Sequence, residues 1–179
     1  QKSYIVLVYG RPGPSKGIEH AITAMKEISG TIPNSKMLLM LSRDKQYRKK
    51  YSQLLQLIKE NGLNDKIINA EPVPHSELPD YIMAADCVVV PSLAEGFGYT
   101  AAEAAAMGKP IVASNTTSLP EVVSGKYVLV PPKDPEAIAA AVAKIKEGKV
   151  KSTPMKRFTV EENVSNYLKV YKEVLQQKA

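Results

Sequence analysis

The chain has 179 residues, 44% of them hydrophobic and 23% charged, and its 24 Lys and Arg outnumber 18 Asp and Glu for a net charge of +6. That length supports one domain with a sizeable core and excludes two full ones, in a composition ordinary for a globular protein. No apolar run approaches the ~18 residues of a membrane span, and the single cysteine, Cys87, excludes an intrachain disulfide.

Residues 3–9, SYIVLVY, read as a strand, and Ile18, Ala21, Ile22, Met25 and Ile28 then recur at helical spacing. KMLLMLS (36–42) is a second strand, followed by a helix marked by Leu54, Leu57 and Ile58 and stopped at Asn61-Gly62. KIIN (66–69) reads as a third strand. A helix capped near Ser76, with Leu78, Tyr81 and Ile82, leads to the fourth strand, CVVVP, in which Cys87 is expected as a buried thiol. A helix ended by Gly108 precedes the fifth strand, PIVAS (110–114), and YVLVPP (127–132) is the sixth. Asp134 and Pro135 then form an N-cap and first position for DPEAIAAAVAKIKEG. Residues 148–158 read as a polar connection to a last helix with Val164, Tyr167, Leu168, Tyr171, Val174 and Leu175 on a wide apolar face.

The strands are continuously apolar rather than alternating, so both sheet faces should be covered. The expected fold is α/β, an open, doubly wound, mainly parallel six-stranded sheet with helices on both faces. Residues 1–150 would form this Rossmann-like unit, and 151–179 the connection and terminal helix. Ligands of such sheets bind beyond the carboxyl ends of the strands, which directs attention to loops 10–17, 42–45, 70–76, 91–98 and 114–120.

The start, QKSYIVLVYG, lacks the zones of a signal peptide and enters an apolar run at once, which suggests a domain cut from a longer, cytoplasmic protein. The basic balance suits an anionic partner such as a nucleotide or a membrane surface. Lys45, Arg48, Lys49 and Lys50 form the densest basic run and read as a solvated helix face. Without glycine-arginine repeats, zinc-binding spacings or RNA-binding aromatic motifs, nucleic acid is not an expected partner. His20 and His75 have no ligand-like spacing and read as surface or loop residues.

Two loops are able to carry chemistry. GRPGPSKG (10–17) is not a P-loop, which needs Gly-Lys-Ser/Thr after a fixed gap; Arg11 and Lys16 are either solvated cations or a clamp for phosphate oxygens. EGFGYTA contains Gly96-x-Gly98-x-x-Ala101 before a helix, nominally a dinucleotide fingerprint. The acid required at the end of the next strand is replaced by SNTTS (114–118), which argues against NAD or FAD. Glu95 precedes the helix and Glu103 lies within it, so they address different parts of one ligand rather than facing each other as a glycosidase pair.

The stretches AADCVVVPS (84–92), EGFGYTAAEAAAMGKPIVAS (95–114), LPEVV and YLKVYKEVL (167–175), preceded by GRPGPSKG, resemble the C-terminal domain of retaining GT-B glycosyltransferases, family 4 above all. The family pattern is Glu-x7-Glu with Gly-Phe-Gly after the first Glu, and residues 95–111 match it nearly throughout. The resemblance implies the donor-binding half of an enzyme that transfers a sugar from a nucleoside-diphosphate sugar, inactive in isolation. By that resemblance Glu95 is the catalytic residue beside the transferred sugar, with Gly96, Phe97 and Gly98 also at the sugar. Arg11, Lys16, Phe97, Gly98, Tyr99 and Thr100 would hold phosphate, and Glu103 the ribose. Ser42, Arg43, Pro72, Val73 and Pro74 would lie near the base. No metal or other cofactor is implied, and no Asp-x-Asp motif occurs. The acceptor, a glycan, lipid or small molecule, would be held by an N-terminal domain outside this chain, to which the terminal helix would return, leaving its stripe exposed here. Peripheral contact with an anionic membrane fits the charge.

The chain departs from the family where SRDKQ (42–46) replaces a Gly-x-Gly loop near the base and where Tyr127-Val128-Leu129 replaces Gly-Leu-Leu. The competing readings are a nucleotide-sugar-binding module without transfer and a generic nucleotide-binding α/β domain.

Overall fold

In a computed structural model describing residues 3–150 and 152–176, six strands form one sheet in the order β3-β2-β1-β4-β5-β6. They are β1 (Tyr4–Gly10), β2 (Ser35–Leu41), β3 (Ile67–Ala70), β4 (Cys87–Val90), β5 (Ile111–Ser114) and β6 (Tyr127–Val130). Every strand pairing is parallel, with Val6 opposite Met37 on one side and Cys87 on the other. The helices are α1 (Ile18–Thr31), α2 (Arg48–Glu60), α3 (Leu78–Ala84), α4 (Tyr99–Ala106), α5 (Leu119–Val122), α6 (Pro135–Lys146) and α7 (Val160–Gln176). The doubly wound parallel sheet expected from the apolar runs is therefore present.

Alternate residues of the central strands enter two separate cores, as the two-residue period of a strand requires. Val6 and Val8 of β1 and Cys87 and Val89 of β4 pack with α1, α2 and α6. Leu7, Val88 and Val90 pack on the other face with α3, α4 and α5. α4 buries only alanines, Ala101, Ala104 and Ala105, so the helix lies close on the sheet.

The stop signals act as their chemistry dictates. Gly108 takes φ +69, its N–H reaches the Ala105 carbonyl at 2.7 Å, and the Lys109 N–H reaches Ala104 at 3.0 Å, closing a Schellman turn. Asp134 accepts from the Ala137 N–H at 2.9 Å and caps α6. The third helix begins after Glu77 rather than at Ser76, and no side-chain bond caps it. α5 is a single turn over LPEV, too short for periodicity to reveal.

Residues 152–158 are tied down rather than a free connection. Ser152 bridges Lys126 in antiparallel fashion, the Thr153 N–H donates to the Gly125 carbonyl, and the Lys156 N–H to Ser124 Oγ. Beyond them α7 buries no residue, and Leu168, Tyr171 and Leu175 are exposed. Among the described residues no helix is long and apolar enough to cross a membrane.

Candidate functional site

The sheet order reverses between β1 and β4, whose following loops diverge and leave a crevice at their carboxyl ends. The two loops are tied together beside it. Gly17 takes φ +57, and a Cβ there would stand 2.2 Å from the Pro91 carbonyl oxygen, so only glycine admits this approach. The Leu93 N–H donates to the Ser15 carbonyl at 2.7 Å. This contact carries Lys16 to the loop after β4.

There Lys16 Nζ lies 2.6 Å from Glu95 Oε1, and Ser92 Oγ donates to the same oxygen at 2.7 Å. Glu95 is largely withdrawn from water, its side chain 10% exposed against 25% for Lys16, so the pair is weakly screened. Three residues further on, Gly98 at φ +100 starts α4 and has no side chain to cap it, so the positive end of the helix is left without a side-chain partner, as suits an anion.

Glu103 is held from another direction. The Tyr9 phenol at the end of β1 donates to Glu103 Oε2 at 2.8 Å, with the Thr100 carbonyl at 3.2 Å. Burial, and then the Glu103 charge and hydrogen bond, push the Tyr9 hydroxyl well above its ordinary range, so the proton stays on tyrosine. His75 Nε2 stands 3.6 Å from Glu103 Oε1, although the His75 side chain itself is largely exposed.

Lys16, Glu95, Tyr9, Glu103 and the start of α4 line one cavity of about 460 Å³. Arg11, Lys16, Glu95 and Glu103 face it, together with Gly96–Thr100 and Tyr9. A smaller hollow of about 200 Å³ adjoins it, sharing Tyr9, Gly10, Arg11 and Leu78 and adding Met40, Ser42, Pro72 and Val73. Of the five residues expected near a base, Ser42, Pro72 and Val73 line this hollow, and Arg43 and Pro74 do not. The Arg43 guanidinium is drawn off to Glu71 at 2.6 Å and over the Tyr51 ring at 5.3 Å. Among the described residues no three His, Cys, Asp or Glu side chains gather as metal ligands.

Residues 1–159 match the family described as glycosyl transferases group 1. The chain belongs to that family. A D-inositol 3-phosphate glycosyltransferase of Acidothermus cellulolyticus is 30% identical over 96% of this chain and 41% of its own length. An uncharacterized glycosyltransferase of Methanocaldococcus jannaschii is 33% identical over 79% of this chain and 35% of its own. The chain therefore spans well under half of these relatives. Among solved structures, sucrose-phosphate synthase from Thermosynechococcus elongatus superposes with TM-score 0.74 at 35% identity, covering 82% of this chain and 37% of that one. The C-terminal domain of a glycosyl transferase group 1 family protein from Francisella tularensis superposes with TM-score 0.71 at 27% identity, over 82% of this chain and 77% of that domain.

This glycosyltransferase-family chain also carries site residues that sequence reasoning passed over. Tyr9 and Ser92 each reach one of the two glutamates, and Thr116, Thr117 and Ser118 bond to the backbone around Glu95, whereas His75 is the exposed loop residue expected. The available signal was polarity out of place: a tyrosine closing an apolar strand, and a serine after VVVP that is only 2% exposed. A larger cavity of about 630 Å³ lies between α7 and Phe97, Tyr99 and Phe158, but no Lys or Arg lines it. Its chemistry does not match a phosphate-bearing ligand.

Proposed function

We propose that the chain is the donor-binding half of a retaining glycosyltransferase. The observation that supports it is the convergence of Arg11, Lys16, the uncapped start of α4, Glu95 and Glu103 on one cavity at the switch point of the sheet. Arg11, Lys16 and the α4 N–H groups meet a diphosphate, where they offset the charge that grows on it as the sugar–oxygen bond breaks. That role needs no divalent metal. Glu103 accepts from the ribose hydroxyls, and the base lies against Ser42, Pro72 and Val73. Glu95, with the N–H groups of Gly96 to Gly98, faces the sugar near its anomeric carbon. Relatives named for sugar transfer agree with this reading.

The acceptor, a glycan, lipid or small molecule, is supplied by a second domain that closes the crevice. The net charge of +6 and the exposed Lys45, Arg48 and Lys49 support a peripheral contact with an anionic membrane, read by sedimentation with phosphatidylglycerol rather than phosphatidylcholine vesicles.

Calorimetric titration with UDP, GDP and ADP, each with magnesium and with a chelator, tests the donor site. Binding of one of them that is insensitive to the chelator is expected. Failure of all three to bind removes the reading. Donor hydrolysis by the full-length protein separates a transferase from a binding module.

A further inference from the structure

The loop after β5 runs beneath the loop that carries Glu95, and its three consecutive hydroxyl residues all bond to that loop's backbone. Thr116 Oγ1 donates to the Leu93 carbonyl at 3.2 Å. Thr117 Oγ1 accepts from the Glu95 N–H at 2.9 Å. Ser118 Oγ has one proton, shared between the Glu95 carbonyl at 3.1 Å and the Phe97 carbonyl at 2.9 Å. With Ser92 and Lys16 on Oε1, Glu95 is held through its carboxylate, its amide and its carbonyl at once.

Thr117 makes its bond from an unfavourable backbone. Its φ is +44, in the left-handed region where a β-branched side chain crowds its own main chain and where glycine is the ordinary occupant. Glycine would satisfy the turn and lack the hydroxyl. A strained residue that persists beside a site, and whose side chain is used there, points from the outlier to a role.

We infer that Thr117, supported by Thr116 and Ser118, is a positioning residue for Glu95. The strained turn is kept because it delivers Oγ1 to the Glu95 amide and so fixes where the carboxylate meets the sugar. The inference rests on the reading that Glu95 faces the transferred sugar. It adds that residues of the loop after β5, a strand two positions from β1 in the sheet, set the geometry of that contact from outside the cavity lining.

The test uses the full-length protein with Thr117→Ser, Thr117→Gly, Thr117→Ala and Ser118→Ala. Turnover is measured on whichever of UDP-glucose, GDP-mannose and ADP-glucose the wild type uses, beside its affinity for the corresponding nucleoside diphosphate and its melting temperature. Thr117→Ser keeps the hydroxyl and retains most of the turnover. Thr117→Gly and Thr117→Ala both lose about tenfold, the scale of one well-placed hydrogen bond, while nucleoside diphosphate affinity holds. Melting temperature follows a different order, with glycine above alanine because only glycine relieves the backbone. Ser118→Ala, at an ordinary φ of −77, lowers turnover without that complication. Turnover that tracks melting temperature, or Thr117→Gly and Ser118→Ala both within about twofold of wild type, overturns the inference. Wild-type protein that binds none of the three nucleoside diphosphates overturns the donor-site reading instead, and this one with it.

Discussion

Lys16 Nζ and Glu95 Oε1 stand 2.6 Å apart across 79 residues of chain, so each offsets the other's charge. On the proposed reading, a diphosphate arriving beside Lys16 would compete for that ammonium, and the pair would turn from a structural contact into part of the ligand site.

Lys16→Met should therefore act twice. Glu95 keeps only Ser92 on Oε1, and loss of a charge-assisted bond in this poorly screened place costs about 1.5–3 kcal/mol of stability. Nucleoside diphosphate affinity should fall as well, and its dependence on salt should weaken, because one of the two cations that act through charge is gone. Urea unfolding and calorimetry at two ionic strengths read both. Unchanged salt dependence would place Lys16 outside the phosphate contact.

The two glutamates should separate by ligand. Glu103→Gln should weaken nucleoside diphosphate binding about tenfold, near 1.4 kcal/mol, because the amide keeps one acceptor for the ribose and loses the charge. Glu95→Gln should leave that affinity nearly unchanged and, on the proposed function, lower turnover by the full-length protein about 10²-fold, as loss of an interaction made mainly in the transition state. Equal weakening of the nucleoside diphosphate by both would refute the division of roles.

Stability should fall on the alkaline side. Burial pushes the Cys87 thiol from 9.0 up to about 12, and burial likewise raises the Tyr4 and Tyr9 phenols above 10.0. A raised folded value means that the unfolded chain releases its proton first. The stabilisation is complete below the unfolded values and is lost as pH rises from about 9 towards the folded values. Urea midpoints measured between neutrality and about pH 10.5 should decline. Cys87 should resist a thiol reagent until the protein is unfolded. Native reactivity equal to that of the denatured chain would contradict the burial.

Truncation after Thr159 should leave the sheet domain intact. The buried core ends at Val142, and α7 contributes nothing to it. Helical circular dichroism should drop while the unfolding midpoint stays close to that of the whole chain. A loss approaching the ~2–5 kcal/mol of a large core truncation would show that α7 supports the fold.

Much of this architecture is legible in the chain itself. The apolar runs of β1, β2, β4 and β5 need cover on both faces, and the 3.6-residue stripes between them supply it, so a parallel sheet follows from solvent exclusion alone. Asn61-Gly62, Gly108 and Asp134-Pro135 mark helix ends through local backbone chemistry. The Glu95 and Glu103 stretch, being contiguous, carried the family resemblance with it. What no local pattern encodes is which strands lie side by side. Only after β4 pairs with β1 does Tyr9 reach Glu103, 94 residues away, and only the glycine contact at Pro91 lets Lys16 meet Glu95. Arg43 meets Glu71 for the same kind of reason, since Glu71 follows β3 and comes within its reach only when β3 pairs with β2. The sequence by itself determined the longer elements and the chemistry they bring, though not the single turn of α5. The tertiary structure alone decided the partners, because a hydrogen bond or an ion pair acts over a few ångströms and is indifferent to distance along the chain.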